Sequence, residues 1–195
     1  MKTDWQKAIE IIKNNGLVVL PTDTLYGLVA SIGAKKAIDK IYKIKERDEN
    51  KALIVLISSF KDLSKFGIKL NKKEIEFLNK VWPGEVSVLL SCKNPKFRHI
   101  HRGTNEIAFR MIGSKNTDLF KLLEKVGPIV APSANKEGFI PAETIKEAES
   151  YFGDDVDLYI NKGRKIGEPS TLIRLKNEQV EVLRQGKVKI KTLRI

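Results

Sequence analysis

Residues 16–27 read GLVVLPTDTLYG, and this stretch carries the two signals that decide the fold. Its first part is a short apolar run that ends at Pro21, a pattern that suits a buried strand. Its second part is polar, with Thr22 and Thr24 on either side of Asp23. Ligands collect beyond strand ends in α/β sheets, so this junction is a candidate binding segment. A plain turn is the alternative for Thr22 and Asp23.

The sequence around this stretch alternates helical and strand patterns. Amphipathic periodicity predicts helices at 4–14, 35–45, 72–81, 117–126 and 144–152, and apolar runs predict strands at 16–22, 52–58, 86–91, 106–112, 128–133, 170–175 and 180–186. Strands alternate with helices at first and then follow one another. This order predicts a single α/β domain over residues 1–195, built on a mixed parallel and antiparallel sheet. The tail, residues 187–195, alternates like a solvated edge strand, which is favoured over a nucleic-acid-binding arm.

The chain of 195 residues is strongly basic, with 36 Lys and Arg against 24 Asp and Glu and a net charge of +12. Such a balance indicates polyanionic partners, although a solvated basic surface explains it equally well. Arginine supplies only 8 of the cations, which argues against base-specific reading of nucleic acid. No apolar run approaches the ~20 residues of a membrane helix, and no signal peptide stands at the N-terminus. We therefore expect a cytoplasmic protein without membrane association.

Several common chemistries have no motif in this sequence. There is no P-loop, no dinucleotide-binding G-x-G-x-x-G and no G-x-S-x-G nucleophile elbow. Cys92 is the only cysteine, which excludes an intrachain disulfide and a multi-cysteine zinc site. His99 and His101 lack a third ligand nearby, so we interpret them as part of a basic surface loop rather than a metal site.

Four segments each place small hydroxyl or cationic residues and Gly or Pro beside an apolar strand. They are residues 20–27, residues 43–47 ahead of the strand at 52–58, residues 131–135, and residues 167–171 with Arg184 downstream. Lys and Arg bind phosphates, and short hydroxyl and amide side chains supply directed hydrogen bonds. Each segment has a structural alternative. Lys45 and Arg47 could be a solvated helix end, and Ser133 and Asn135 could cap the next helix.

The ordered set PTDTLYGL, Lys45-x-Arg47, WPGEVSVLL, IAFR, APSAN, PSTLI and VLRQG resembles the YrdC/TsaC family of threonylcarbamoyl-AMP synthases over about residues 5–186. The resemblance implies a YrdC-like twisted mixed sheet, flanked by helices around a deep basic cavity. It implies the condensation of L-threonine, bicarbonate and ATP, with Mg²⁺, into threonylcarbamoyl-AMP and pyrophosphate. Partner proteins of the t6A transfer complex would then pass the threonylcarbamoyl group to tRNA.

The resemblance also implies site residues. The family's catalytic tetrad falls on Lys45, Arg47, Ser133 and Asn135. The threonine-binding positions fall on Thr24, Arg110, Ala131 and Ser170. The ATP-binding positions fall on the tetrad together with Lys51 and Arg184. No protein nucleophile and no metal-ligating side chain are implied, because positioning and electrostatics can drive the reaction.

The sequence departs from the family pattern at four acidic positions. Glu46, Asp48, Glu85 and Glu106 stand where members often have Gly, Pro, Pro and Thr. These departures leave open the alternative of a YciO-like paralogue, which binds RNA or nucleotides without synthase activity. From the lysine-rich surface we expect at most weak, sequence-blind binding of tRNA or other RNA.

Overall fold

The computed structural model of the protein describes residues 2–195. Its helices are α1 (Asp4–Lys13), α2 (Lys35–Ile44), α3 (Lys72–Val81), α4 (Arg98–His101), α5 (Thr117–Val126) and α6 (Ile145–Phe152), with 3₁₀ turns at Phe60–Phe66, Pro95–Phe97 and Gly153–Asp155. Its strands are β1 (Val18–Pro21), β2 (Tyr26–Ser31), β3 (Ile54–Ile57), β4 (Val86–Ser91), β5 (Glu106–Met111), β6 (Ile129–Val130), β7 (Leu158–Tyr159), β8 (Thr171–Lys176), β9 (Gln179–Arg184) and β10 (Leu193–Arg194). Among residues 2–195, no helix combines the length and the apolar character that crossing a membrane requires.

The strands form one sheet in the order β10-β9-β8-β4-β5-β3-β6-β2-β1-β7. The pairs β1/β7, β3/β5 and β4/β8 are parallel. The pairs β1/β2, β2/β6, β3/β6, β4/β5, β8/β9 and β9/β10 are antiparallel. The predicted mixed sheet is therefore confirmed, and its central strands bring distant parts of the chain side by side.

Helices cover both faces of the sheet, which explains the continuous apolar runs. In β1, Val18 and Leu20 pack in a cluster with α1 and α5, whereas Val19 packs on the other side with α2 and α3. Successive side chains of a strand point to opposite faces, so a strand covered on both sides is apolar at every position. Side-chain caps then set the helix starts. Thr3, Asn71 and Thr144 each form a capping box at the start of α1, α3 and α6.

Three features differ from the sequence-based expectations. Residues 26–31, which no pattern assigned, form β2, so residues 22–25 are the turn of a hairpin with β1. In the tail only Leu193–Arg194 pairs with β9. The interpretation of His99 and His101 as a surface loop is wrong, because both lie in α4. His101 is 2% exposed, and Nε2 of His99 lies 2.8 Å from the carbonyl oxygen of Ile32.

Candidate active site

A cavity of about 300 Å³ opens where the β1/β2 turn meets the segment after β6 and the segment before β8. Its polar lining comprises Thr22, Thr24, Arg47, Ser87, Arg110, Ser133, Ser170 and Arg184. Its apolar lining comprises Leu25, Ala52, Ile54, Ala108, Ala131, Pro132, Pro141, Pro169 and Leu172, together with Tyr26 and Gly27. Three arginines from separate parts of the chain thus converge on one small space, which favours an anionic ligand.

The hairpin turn presents Thr24 to this cavity. The hydroxyl of Thr22 donates to the carbonyl of Leu25 at 2.7 Å, and it lies 3.3 Å from the hydroxyl of Thr24. The loop that carries Gly167 packs directly on the turn. A Cβ at Gly167 would lie 2.7 Å from the carbonyl oxygen of Thr24, so only glycine permits this approach. The turn is therefore held by its own hydrogen bonds and by the packing of the loop that carries Gly167.

The segment 131–135 runs beside β2 rather than starting a helix. The amide of Leu28 donates to the carbonyl of Pro132 at 2.9 Å, and the amide of Ala134 donates to the carbonyl of Tyr26 at 2.8 Å. The hydroxyl of Ser133 donates to Oδ1 of Asn135 at 2.6 Å. These contacts place the Ser133 hydroxyl at the cavity wall, and they leave Asn135 behind it.

The side chain of Lys45 binds the backbone of the segment 131–135. Its Nζ donates to the carbonyl of Ser133 at 2.5 Å and also to the carbonyl of Asn135. Lys45 is 2% exposed, which excludes the alternative of a solvated helix end. Burial, together with the nearby charge of Arg47, lowers the pKa of Lys45 to about 7. The tetrad lysine is thus a buried link between the end of α2 and the segment 131–135.

Arg47 and Arg184 reach the cavity with few partners of their own. Nη2 of Arg47 donates to the carbonyl of Ala52 at 2.9 Å, and its Nε is buried without a hydrogen-bond partner among residues 2–195. Nη2 of Arg184 donates to the carbonyl of Ser170 at 3.0 Å. Burial, and then the charge of Arg110, lowers the pKa of Arg184. Both guanidinium groups keep donors that an anion could use.

Arg110 is more deeply buried and has a carboxylate beside it. Its Nη2 lies 2.8 Å from Oδ1 of Asp23, and the two side chains are 5% and 7% exposed. Burial lowers the pKa of Arg110, and the charge of Asp23 opposes this shift. Burial likewise raises the pKa of Asp23, and Arg110 opposes it. The Nε of Arg110 has no hydrogen-bond partner among the residues that the structure describes.

Asp23 and Ser87 are polar residues at the site that were not predicted as site residues from the sequence. Asp23 was part of the candidate binding segment at the end of the first strand but was given no role of its own, although its carboxylate lies 2.8 Å from Arg110. Ser87 lines the cavity, and its hydroxyl lies 2.7 Å from that of Ser170. The signal for Ser87 was its place as a hydroxyl residue between the apolar residues Val86 and Val88 of a strand.

The structure brings most of the predicted site residues together. Those lining the cavity are Thr24, Arg47, Arg110, Ala131, Ser133, Ser170 and Arg184. Lys45 and Asn135 stand behind the wall and contact Ser133. Lys51 does not reach the cavity lining; its side chain is 55% exposed and forms an ion pair with Glu137. The individual roles of these residues remain predictions.

The cavity offers no ligand set for a resident Mg²⁺. Mg²⁺ prefers carboxylate and phosphate oxygens, and no carboxylate lines the cavity among residues 2–195. The same part of the chain contains no cluster of three His, Cys, Asp or Glu residues that could hold a metal ion.

Comparison with known proteins identifies relatives over almost the whole chain. A Pyrococcus abyssi protein named threonylcarbamoyl-AMP synthase is 31% identical over 94% of this chain and 54% of its own length. A Bacillus subtilis protein of the same name is 29% identical over 92% of this chain and 52% of its own. A Methanocaldococcus jannaschii relative is 29% identical and is covered over 90% of its length. The chain thus spans about half of two relatives and nearly all of the third.

Solved structures agree with this result. The crystal structure of P. abyssi Sua5 complexed with L-threonine superposes with a TM-score of 0.85 at 29% identity, over 95% of this chain and 55% of that one. E. coli YciO also reaches a TM-score of 0.85, over 98% of this chain and 94% of that one, but at 23% identity it shows the fold alone. The sequence profile of the Sua5/YciO/YrdC family, described as "Telomere recombination", matches residues 10–186. The chain therefore belongs to the Sua5/YciO/YrdC family.

Proposed function

We propose that this protein is a threonylcarbamoyl-AMP synthase, a nucleotidyltransferase that joins L-threonine, bicarbonate and ATP. The observation that carries the proposal is the convergence of Thr24, Arg110 and Ser170 with Arg47 and Arg184 on one cavity. A relative of 29% identity and the same fold has been solved with L-threonine. The convergence supplies hydroxyl groups and cations in the combination that an amino acid and a polyphosphate need.

The threonine is proposed to bind at the Arg110 end of the cavity. A guanidinium binds a carboxylate through charge-assisted hydrogen bonds, and Arg110 lines the cavity at this end. The hydroxyls of Thr24 and Ser170 would read the polar groups of the amino acid. Ala108 and Leu172 also line the cavity and offer an apolar surface for the methyl group.

The chemistry needs no nucleophile from the protein. The amine of threonine attacks the carbon of bicarbonate and water leaves, which gives a carbamate. A carbamate oxygen then attacks the α-phosphorus of ATP, and the bond to pyrophosphate breaks. Arg47 and Arg184 would stabilise the charge that spreads over the phosphoryl oxygens. Lys45 would keep Ser133 in place through its hydrogen bonds to the segment 131–135.

Further proposals concern what happens around the reaction. Mg²⁺ would arrive with ATP, the product would pass to proteins that transfer the threonylcarbamoyl group to tRNA, and the reaction would take place in the cytoplasm. The product is a mixed anhydride of a carbamate and a phosphate, so water in the open cavity would destroy it. Delivery to the transfer proteins should therefore follow soon after synthesis.

The proposal is tested by incubating the protein with ATP, L-threonine and bicarbonate. We expect pyrophosphate and a product with the mass of threonylcarbamoyl-AMP, and neither when threonine is omitted. ATP turnover that ignores threonine would contradict the proposal. Binding of RNA or nucleotide without synthesis would instead support the YciO-like alternative.

A further inference from the structure

Asp23 stands at the contact between the β1/β2 turn and β5. Its carboxylate lies 2.8 Å from Nη2 of Arg110, with both side chains almost fully buried. Thr24, the next residue, lines the cavity, whereas Asp23 does not. The turn therefore sends one side chain to the ligand space and the neighbouring one to the arginine.

The contact fixes an arginine that little else holds. Asp23 is the carboxylate in contact with this guanidinium, and the contact is an ion pair at 2.8 Å, since Oδ1 of Asp23 and Nε of Arg110 both lack a hydrogen-bond partner among residues 2–195. A buried, planar guanidinium binds a carboxylate well only if its free edge points at the ligand. Asp23 restrains the guanidinium at Nη2, and this orientation decides how Arg110 meets a ligand in the cavity that it lines.

Asp23 also distinguishes Arg110 from the other two cavity arginines. Arg47 and Arg184 use Nη2 to donate to backbone carbonyls, of Ala52 and Ser170 respectively. Only at Arg110 does the structure show a carboxylate instead. A purely structural ion pair has no need to adjoin the ligand space, whereas a positioning pair must do so.

We propose that Asp23 is a positioning residue, which orients Arg110 and ties it to Thr24 so that the two side chains together recognise the carboxylate and polar groups of an amino acid. This inference rests on the proposed function, because it assumes that an amino acid occupies the Arg110 end of the cavity. It predicts that losing Asp23 weakens amino acid binding while nucleotide binding, which uses Arg47 and Arg184, is spared.

The test is calorimetric titration of the full chain, first with L-threonine and then separately with ATP. The variants are Asp23→Asn, which is nearly isosteric, Asp23→Glu, which keeps the charge, Arg110→Lys, and the double variant Asp23→Asn/Arg110→Lys. Asp39→Asn is the control for loss of an aspartate–arginine pair outside the cavity, because Asp39, which is 59% exposed, lies 2.7 Å from Arg102. Thermal unfolding of each variant reports whether it is folded.

For Asp23→Asn we expect the threonine Kd to rise roughly 10- to 100-fold, with the Kd of ATP changed by less than about twofold. Asp23→Glu should lie between wild type and Asp23→Asn, and Asp39→Asn should bind like wild type. In the Arg110→Lys background, Asp23→Asn should have a much smaller effect, since its action passes through Arg110. If Asp23→Asn does not fold, the threonine-only loss is sought in Asp23→Glu.

Three results would overturn the inference. They are unchanged or tighter threonine binding in the Asp23 variants, equal losses for threonine and ATP, and full additivity with Arg110→Lys. In each of these cases the wild type still binds threonine, so the proposed function stands. If the wild type binds no threonine, the proposed function and the inference both fail.

Discussion

Arg174 and Arg184 occupy the same β8/β9 hairpin, and their surroundings are opposite in character. Arg174 is partly exposed and contacts two carboxylates, with Nε 3.1 Å from Glu106 and Nη1 2.8 Å from Glu181. Hydrogen bonds to these carboxylates raise the pKa of Arg174. Arg184 donates to a carbonyl at the cavity, and burial lowers its pKa. An arginine saturated by carboxylates has little left for a ligand, whereas one buried without such a partner is stabilised by an incoming anion.

The volumes of the cavity and the groove beside these two arginines are a poor guide to function. The groove beside Arg174 has a volume of about 650 Å³, compared with about 300 Å³ for the cavity beside Arg184. Its lining includes Glu106 and Glu181, which already neutralise the arginine. The smaller cavity carries three arginines and no lining carboxylate among residues 2–195. Arg47 and Arg184, which have no carboxylate partner in the described chain, therefore mark the site better than volume does.

The largest expected difference is between Arg47→Ala, which changes the cavity, and its control Arg174→Ala, which changes the groove lined by Glu106 and Glu181. Loss of a charge-assisted contact in the transition state costs about 2–4 kcal/mol, so Arg47→Ala should slow pyrophosphate release by roughly 30- to 1000-fold. Arg174→Ala should keep near wild-type turnover. Initial rates at saturating substrates decide the matter. Similar rates in the two variants would contradict the expectation that the cavity arginine serves the reaction and the groove arginine does not.

Substrate choice gives the next largest effect. The apolar lining at Ala108 and Leu172 should favour threonine over serine, because one methyl group in such a pocket changes kcat/KM by roughly 10- to 200-fold. Serine should thus be a poor substrate that is still detectable. Competition between the two amino acids, followed by product mass, measures the ratio. Equal use of both would show that the cavity has no niche for the methyl group.

The buried lysine behind the cavity predicts a pH dependence of stability. The pKa of Lys45 is lowered from 10.5 to about 7 by burial and by Arg47. Between these values the unfolded chain binds a proton that the folded chain lacks, so the free energy of unfolding should rise with pH across this window. Below the folded pKa, Lys45 is charged in both states and its burial carries the full cost.

Denaturant titrations of the wild type and Lys45→Met, at about pH 7 and about pH 10, test this expectation. The wild type should gain stability between the two values relative to Lys45→Met, in which the titrating group is absent. Parallel pH profiles would mean that Lys45 keeps an ordinary pKa in the folded protein.

The smallest effect is expected at Glu106, in the groove beside Arg174. Glu106→Gln weakens a partly exposed ion pair with Arg174, and pairs of this kind contribute about 0–1 kcal/mol to stability. Its synthase activity should match that of the wild type. Urea unfolding and the rate assay together check both points. A loss of activity at Glu106 would extend the functional site to the far end of β5.

The sequence predicted the elements whose signals are local. Helix α3 begins after Asn71, whose capping box and following amphipathic run are contiguous in the chain. Strand β6 and the loop after it were also anticipated, although only Ile129–Val130 pair as a strand. By contrast, β7 has two residues, Leu158–Tyr159, and so short a strand has no periodicity to detect.

The parts of the site that escaped prediction depend on contacts between distant segments. The motif placed Lys45 at a helix end. Its burial against the segment that carries Ser133 and Asn135, and its hydrogen bonds to their carbonyls, join distant parts of the chain and are not revealed by any local pattern. The same holds for Asp23, which looks like a turn residue until β5 brings Arg110 beside it. Motif order identified which residues meet, and only the packed sheet shows which of them face the ligand space.

We propose above all that threonine, bicarbonate and ATP are joined in the arginine-lined cavity. The most direct measurement follows ¹³C-labelled bicarbonate into an adenylate by mass spectrometry, for the wild type, Arg110→Ala and Arg174→Ala. We predict threonine-dependent labelled threonylcarbamoyl-AMP from the wild type and Arg174→Ala, and at most traces from Arg110→Ala. Absence of labelled product from the wild type, or equal yields from all three proteins, would contradict the account.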